Sequence, residues 1–388
     1  MTVQPVGGFA TPAEPVAVGA VQGYLTALWQ RLAREQPAGM PLAPARMINL
    51  VIYGEDDSLP DMAERLAGAM AVRHPGRLIA VWLTHDRAGV DMAAEVSVRC
   101  VPDPTGCRQV CSEMILLTVP AALRRYVPHA VCALRQADRP VALWWLGPPR
   151  LDDPLFHRLA AESSGQVLLD SRAGEQPADT LRALHRWCTE PYGPAGTGRR
   201  AVALGDLAWA RLLPWRQAVA GFFDQLSGPG APGPEGIRRV ELVSAGADVP
   251  ADALLLLGWL AARLAGQAAA VRREPDAVQA AFTRGDTHVA VRCTRAANDV
   301  REAFGLTAVT LHVVEGTAAH VFEAHRGHDA NVVHTHMTPP GGPRSPRSTG
   351  LVEPADEALV ASLLEAVLPD PHYLAALARA AEIADALG

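Results

Sequence analysis

Hydrophobic and polar positions follow two alternating patterns along the first 226 residues. Short continuous apolar runs are typical of strands buried on both faces, and segments with apolar residues every three to four positions are typical of amphipathic helices. The apolar runs are RMINLVIYG, RLIAVWLT, AAEVSVRCV, EMILLTV, RPVALWWLG and QVLLD. Their alternation with helical segments predicts a Rossmann-like α/β domain over residues 1–226, with a mostly parallel sheet covered on both faces.

The segment that ends at residue 226, GDLAWARLLPWRQAVAGFFDQL, has helical spacing, and Pro214 predicts a kink or restart in it because proline lacks a backbone N–H. The pattern changes after this segment. SGPGAPGPEG, residues 227–236, predicts a linker. Beyond it, several segments alternate apolar and polar residues with period two, which predicts a smaller α+β domain with an antiparallel sheet over residues 237–388. TPPGGPRSPRSTG, residues 338–350, predicts a flexible loop, and two helices from about Glu353 and Pro371 close the chain.

Composition places the chain among soluble globular proteins. It has 388 residues, 49% of them hydrophobic and 20% charged, with a net charge of -6. Such a charge provides no basic surface for nucleic acid or for anionic lipid, so neither partner is expected. The longest apolar run, Ala253 to Gly266, is too short to span a bilayer and contains Arg263. No cationic segment leads into an apolar one at the start, so we expect a cytoplasmic protein.

Several catalytic chemistries are absent from the sequence. The chain contains no lysine, so all 35 basic residues are arginine, which excludes a Schiff-base lysine and a phosphate-loop lysine. The dinucleotide fingerprint G-x-G-x-x-G, the nucleophile elbow G-x-S-x-G and the zinc motif H-E-x-x-H are missing as well. The sequence therefore predicts no catalytic residues and no cofactor.

Polar residues follow two of the predicted strands. Glu55, Asp56 and Asp57 are candidates for Mg²⁺ binding, although acidic residues ahead of a helix more often form a solvated loop. Asp170, Ser171 and Arg172 suit a small anion or a strand-to-helix turn equally well.

Cysteine and histidine residues form two further groups, and each group has two possible roles. Cys100, Cys107 and Cys111 are close enough for a redox pair or part of a zinc site, but free buried thiols are the default in a cytosolic protein. The histidines of EAHRGHDANVVHTHM suggest either a metal cluster or the polar face of a hairpin, and the polar face is favoured. They are His325, His328, His334 and His336.

The tryptophans suggest contact surfaces. Adjacent residues of a strand point to opposite faces, so one of Trp144 and Trp145 is expected under a helix and the other at a crevice or partner. Trp209 and Trp215 alternate with arginines in the helical segment near Pro214. Tryptophan and arginine dominate binding hot spots, but large aromatics also join domains. Residue types alone slightly favour an interdomain seam.

The order of these motifs resembles one known family. INLVIY, VRHPGRLIAVWL, QVCSEMILLTV, RPVALWWLG, QVLLDSR, DLAWARLLPWRQ and LLLLGWLAARL are similar to OpcA-type proteins, the glucose-6-phosphate dehydrogenase assembly proteins. The resemblance extends from about Met47 to Gly266 and depends most on LWW followed by DLAWARLLPWR. After about residue 285 it rests on overall layout.

The resemblance implies a non-catalytic partner that binds glucose-6-phosphate dehydrogenase and promotes its active oligomer. It also shifts the interpretation of the segment from Trp209 to Arg216, called the Trp/Arg segment, toward a partner surface, with the interdomain role still open. The full set of candidate partner-binding residues is Trp144, Trp145, Asp170, Ser171, Arg172, Asp206, Trp209, Arg211, Trp215 and Arg216. Some cyanobacterial members respond to redox through cysteines near the C-terminus, but no cysteine follows Cys293 here. The alternative function is an enzyme or sensor that binds a sugar phosphate or nucleotide at the strand ends.

Overall fold

A computed structural model describes most of the chain. The described residues are 8–35, 42–44, 47–85, 91–103, 105, 107–190, 203–224, 232–245, 249–264, 266–274, 277–296, 305–327, 332–352, 354–366 and 369–387. The strands are β1 Phe9–Ala10, β2 Glu14–Ala17, β3 Leu42–Pro44, β4 Asn49–Gly54, β5 Arg77–Thr84, β6 Ala93–Pro102, β7 Gln109–Pro120, β8 Val141–Trp145, β9 Gln166–Leu169, β10 Ala203–Asp206, β11 Ile237–Ala245, β12 Gln267–Glu274, β13 Ala277–Arg284, β14 Thr287–Arg295, β15 Gly305–Glu315, β16 Ala318–Arg326, β17 Val332–Thr338 and β18 Ser345–Val352. The helices are α1 Val21–Glu35, α2 Leu59–Arg73, α3 Val127–Leu134, α4 Pro154–Glu162, α5 Pro177–Thr189, α6 Leu207–Arg211, α7 Leu213–Asp224, α8 Ala251–Arg263, α9 Asp356–Leu363 and α10 Pro371–Leu387.

The first sheet is mostly parallel. Its strand order is β1-β6-β7-β5-β4-β8-β9-β10, with β2 paired to β6 and β3 to β7. Counting only β4, β5, β7, β8, β9 and β10, this is the order 3-2-1-4-5-6 that defines the Rossmann arrangement. The strands β5, β4 and β8 are buried at nearly every position, which explains their uninterrupted apolar sequence.

A buried ion pair links two neighbouring interior strands of this sheet. Arg77 on β5 donates from Nε to Glu113 Oε2 of β7 at 2.7 Å, and both residues are almost fully buried. Trp29 of α1 donates to the other carboxylate oxygen at 2.7 Å, and Gln136 Nε2 donates to Oε2 at 3.0 Å. Because both oxygens accept hydrogen bonds, the charge pair is satisfied inside the protein.

The second sheet is mostly antiparallel, with the order β12-β13-β14-β11-β15-β16-β17-β18. Only the β11–β14 pair is parallel among the pairings of this sheet in the described residues. Buried and open residues alternate along β11, β14 and β15, so one face of the sheet carries the core.

Helices α7, α8 and α10 supply the rest of that core. Phe222 of α7 stacks on Phe322 of β16 with ring centroids 4.9 Å apart. In α8 most positions are buried, and Gly258 lies where a side chain would meet the backbone of Ala376 and Ala380 in α10. Glycine is required here because the two helix backbones approach closely.

The predicted fold class is confirmed, since a mostly parallel α/β sheet and a largely antiparallel sheet both form. The compact units interleave along the chain: unit 1 comprises residues 1–170, 198–205 and 356–368, and unit 2 comprises 171–197, 206–355 and 369–388. These units do not coincide with the predicted domains 1–226 and 237–388. The predicted linker 227–236 falls inside unit 2, and residues 225–231 lie outside the described residues. Whether two consecutive domains fold independently stays a prediction.

Several local predictions need correction. The helical segment from Gly205 starts two residues later, at Leu207, because Ala203–Asp206 forms β10. The break at Pro214 is confirmed as a restart, with α6 ending at Arg211 and α7 beginning at Leu213. Part of the predicted loop 338–350 is strand β18, and β13 was not predicted. None of the described helices has the length and apolarity needed to cross a bilayer.

Candidate functional site

The strand order reverses between β4 and β8, the point where Rossmann-type sheets bind their ligands. Here protein side chains occupy that point. A side chain on Gly54 would lie 3.2 Å from Cβ of Leu146, and the Leu146 N–H donates to Tyr53 O at 2.8 Å. Trp145 lies against Tyr53, with centroids 4.4 Å apart, and edge-on to Phe156 at 5.3 Å. The crevice at the strand ends is thus packed with apolar groups.

Trp144 and Trp145 are both buried, with 1% and 2% of their surface exposed. The indole N–H of Trp145 donates to Pro148 O at 3.1 Å, which satisfies its only polar group. The expectation that one of the two faces a crevice or a partner is therefore wrong in this fold. The physical reason is that β8 is buried along its whole length, on both faces.

A cluster that sequence reasoning missed covers these strand ends. Arg124 donates from Nε to Tyr53 Oη at 3.0 Å and from both terminal nitrogens to Asp153, the residue that caps α4. Tyr53 in turn donates to Glu55 at 2.9 Å. Although partial burial opposes it, hydrogen bonding from Arg124 keeps the pKa of Asp153 below its usual value. Nothing in the sequence connects residues 53, 124 and 153, so only the tertiary structure reveals the cluster.

Two of the three acidic residues after β4 form hydrogen bonds or close contacts with other groups of the protein. Glu55 accepts from Tyr53 and lies 3.3 Å from His85 Nε2. Asp56 accepts the N–H of Ser58 at 2.7 Å, and hydrogen bonding from the side chain and the backbone of Ser58 lowers the pKa of Asp56. They border an open cavity of about 530 Å³. Among the described residues, no group of three histidine, cysteine or acidic side chains is placed to hold a metal ion.

Asp206 organises the second group of predicted residues. Its side chain is buried and accepts the N–H groups of Ser171 and Ala208, each at 3.0 Å, and the hydroxyl of Tyr373 at 3.1 Å. Ser171 is fully buried. Asp206 and Ser171 are therefore structural, since they fix the start of α6 and a turn, and the fold does not present them to a partner. Asp170 and Arg172 remain partly exposed.

The tryptophan side chains of the Trp/Arg segment are also buried and contact other residues of the protein. Trp209 donates its indole N–H to Asp370 at 2.8 Å, and the Arg216 guanidinium lies 3.6 Å from the centre of the Trp209 ring. Trp209 and Trp215 are 4% and 1% exposed, so direct contact with a partner is contradicted for both. Burial lowers the pKa of Arg216 to about 10, although Asp370 opposes the shift. Of the five candidates around this segment, only Arg211 and Arg216 reach the surface, and both only in part.

The cysteines form one disulfide. Cys100 and Cys111 are directly opposite each other on β6 and β7, both fully buried, and they are disulfide-bonded. The default expectation of free thiols is wrong for this pair. Cys107, the third redox candidate, is an exposed free cysteine in the hairpin between the two strands. A redox role for any of the three stays a prediction.

The histidine hairpin places its rings side by side. His325 of β16 stacks on His336 of β17, with ring centroids 4.9 Å apart and planes at 7°, and lies 5.7 Å from His334. Burial and the neighbouring histidines lower the pKa of His325, and burial with Arg344 lowers that of His336. The fourth histidine, His328, lies outside the described residues. The three described rings form part of the open face of the second sheet, in agreement with the polar-face interpretation.

That open face lies on the second sheet, in unit 2. Six strands are neighbours here, in the order β13, β14, β11, β15, β16 and β17. On each of them, alternate side chains point away from the helices and are exposed or half-buried. One row runs across six neighbouring strands as directly paired residues. The row consists of Gln279, Arg292, Glu241, Thr310, Glu323 and His336. Sequence reasoning found the alternation but not the strand order that assembles the face.

Comparison with known proteins gives two family matches. Residues 67–186 match the glucose-6-phosphate dehydrogenase subunit N-terminal domain of the OpcA family, and residues 202–377 match the C-terminal domain. A protein of Nostoc punctiforme named "Putative OxPP cycle protein OpcA" is 31% identical over 259 residues, which cover 66% of this chain and 50% of that protein. A protein of the same name from Synechocystis is 27% identical over 53% of this chain and 40% of its own length.

The chain spans about half or less of the length of these curated relatives. A crystal structure titled "putative oxidoreductase" from Erwinia carotovora atroseptica covers 88% of this chain and 98% of its own, with 11% identity and a TM-score of 0.43. A likeness at that level carries no information about activity. The two family matches follow each other in order along most of the chain, and the three curated relatives carry one name. The chain belongs to the OpcA family.

Proposed function

We propose that this protein is a non-catalytic assembly factor that binds glucose-6-phosphate dehydrogenase and promotes its active oligomer. The observation that carries the proposal is the pair of consecutive family matches, both described as domains of a subunit of that enzyme. An assembly factor acts through differential affinity, binding the active oligomer more tightly than the inactive form. The cytoplasmic location expected from the sequence is part of this proposal.

The switch point of the first sheet supports a protein without dinucleotide chemistry. In the Rossmann arrangement a cofactor pyrophosphate sits at the N-terminus of the helix that follows the first strand. Here that helix is α2, and Glu55, Asp56 and Asp57 precede it. Three carboxylates at this position repel a pyrophosphate, and Leu146 fills the space beside Gly54.

The test mixes the purified protein with the dehydrogenase of the same organism. We expect the rate of NADP⁺ reduction to rise with added protein until a fixed ratio is reached, and the sedimentation coefficient of the dehydrogenase to increase over the same range. An inert protein of similar mass at equal concentration is the control. Unchanged rate, substrate affinity and oligomer size would refute the proposal.

A second measurement separates the assembly factor from a metabolite-binding sensor. Thermal unfolding of the isolated protein is followed with glucose 6-phosphate, 6-phosphogluconate, NADP⁺ and ATP added separately. An assembly factor gives no large change in the melting temperature with any of them. A shift of several degrees without the dehydrogenase would favour the alternative function.

A further inference from the structure

The second sheet has two chemically different faces. Its inner face carries the core, for example Leu242, Val291, Leu311 and Phe322, each at most 2% exposed. Phe222 of α7 covers Phe322 directly. The other face, called the open face below, comprises the alternate residues of β11 and β13–β17. No described helix covers it, since those residues are exposed or half-buried almost throughout.

The open face can supply a large share of a protein interface. Its six strands at a spacing of about 4.8 Å give a width of roughly 24 Å, and strands of about seven residues rising about 3.3 Å each give a length of roughly 23 Å. The product is about 550 Å², or about two thirds of the area of roughly 800 Å² that each partner contributes to an interface of standard size.

Several side chains of this face are short or held in place. Ala290, Ala308, Val243 and Thr310 lose little rotamer freedom when a partner covers them. The stacked imidazoles of the hairpin restrain each other in the same way. These residues therefore add little to the entropic penalty of association.

The charges of the open face are not balanced. Glu241 pairs with Arg239 at 2.5 Å, and Glu323 pairs with Arg344 at 2.9 Å. Arg292 is the second residue of the row, beside Glu241, is exposed, and has no carboxylate within ion-pair distance among the described residues. The row therefore retains an unpaired cation in a chain whose net charge is -6.

The next strand, β12, extends this positive region. Register places Arg272 of β12 opposite Gln279, which is itself opposite Arg292. Arg272 is exposed. An arginine fork binds a carboxylate with two parallel hydrogen bonds, so two such residues in one row favour an acidic protein surface over a neutral one.

We propose that the open face is the docking surface for the dehydrogenase, and that acidic side chains of the enzyme pair with Arg292 and Arg272. This inference rests on the proposed function and assigns its contact surface. It moves the interaction away from the tryptophans, which are buried, to a face that no described helix covers. Electrostatic attraction at such a face raises the association rate and makes binding sensitive to salt.

Charge reversal tests the assignment. Arg292→Glu replaces the unpaired cation of the row, and Arg31→Glu makes the same charge change at an exposed position of α1 in unit 1. Kd for the dehydrogenase is measured by titration calorimetry at two salt concentrations, and circular dichroism and melting temperature establish that each variant is folded. We expect Arg292→Glu to raise Kd at least tenfold and to weaken the salt dependence, while Arg31→Glu leaves Kd within twofold of wild type.

A second substitution provides a steric test that keeps the charge. Ala290→Trp places a large ring on an exposed position of the open face, next to the row. We expect a similar increase in Kd with an unchanged melting temperature. Wild-type affinity in both face variants would overturn the assignment while leaving the proposed function intact.

Two other outcomes also decide the question. If the wild-type protein does not bind the dehydrogenase at all, the proposed function fails, and the docking assignment fails with it. If the protein forms a dimer that Arg292→Glu dissociates, and dehydrogenase binding is unaffected, the open face is an interface between two copies of this chain and the assignment is wrong. Sedimentation velocity on the isolated protein distinguishes these results.

Discussion

The hydroxyl of Tyr373 in α10 donates a hydrogen bond of 3.1 Å to Asp206, the residue that caps α6, 167 positions earlier in the chain. Both side chains are buried. Burial and the adjacent carboxylate raise the pKa of Tyr373 well above its usual value, so the tyrosine stays a donor across the neutral range. The contact fixes the C-terminal helix to the segment for which the sequence leaves a partner surface and an interdomain seam open.

Tyr373→Phe removes one donor from a buried carboxylate while keeping the ring. We expect a loss of about 1–3 kcal/mol in the free energy of unfolding, because the oxygen loses a hydrogen bond that water cannot replace. Urea unfolding measures the change. Tyr126→Phe, at a position that is 44% exposed, is the control and should be near neutral. Equal effects in the two variants would contradict the structural role of the contact.

The buried pair of Arg77 and Glu113 gives a second prediction. Glu113→Gln leaves the arginine charge in the interior without its anion, so we expect a loss of about 3–5 kcal/mol. Glu64→Gln breaks an ion pair with Arg99 at the surface and is the matched control, with an expected loss of about 0–1 kcal/mol. Chemical denaturation of both variants provides the comparison. A loss below 1 kcal/mol for Glu113→Gln would show that the pair is not buried in solution.

The Cys100–Cys111 disulfide can be tested by counting thiols. In the denatured, unreduced protein we expect an alkylating reagent to modify Cys107, Cys132, Cys188 and Cys293 only. Six modified cysteines in protein kept from reductants would show that the disulfide does not form.

Removing the disulfide should also lower stability. The bond closes a loop with a sequence separation of 11, so Cys100→Ala with Cys111→Ala should cost about 3 kcal/mol by the loop-entropy relation. Cys132→Ala, at an exposed position, is the control. Urea unfolding without reductant measures both, and equal stabilities would indicate that the cross-link does not constrain the unfolded chain.

The stacked histidines predict a pH dependence of stability. His325 and His336 have folded-state pKa values below the unfolded value of about 6.5, so the unfolded chain binds protons more readily. Their contribution to stability is present above pH 6.5 or so and is lost as the pH falls through the folded-state values. Arg344 and His334 oppose protonation, and Glu323 favours it.

His325→Gln with His336→Gln removes both titrating groups. We expect the stability of this variant to depend less on pH between about 5 and 7.5 than that of the wild type. His129→Gln, at an exposed position on α3, is the control and should keep the wild-type slope. Melting temperatures across that range are the measurement. A parallel decline in all three proteins would show that the pair does not titrate differently on folding.

The fold class followed from the sequence because the two periods of hydrophobicity reflect two kinds of burial. Continuous runs such as INLVIY mark β4, which is buried on both faces, and alternation such as THVAVRC marks β14, which is buried on one. β18 was missed because SPRSTGLV carries proline, glycine and charge in place of an apolar pattern. Pairing with β17 makes it a strand, and pairing is not a local property.

The candidate site shows where residue types mislead. Trp209 and Arg216 have the composition of a binding hot spot, yet their partners are each other and Asp370. A large aromatic side chain suits an interface and a core equally, because both remove it from water. Only the position of α10, whose sequence lies about 160 residues later, decides between them.

By itself the sequence determined that this chain has a parallel and an antiparallel sheet, that lysine chemistry is absent, and that its motifs are those of the OpcA family. The tertiary structure alone decided which residues are surface. The period of two indicates that a strand has one solvent-exposed face. The order of the strands in the sheet is what places Arg292, Glu241 and Thr310 side by side on that face. The reason is physical: burial and charge pairing depend on neighbours that are distant in the chain, and a linear pattern contains no information about which of them meet.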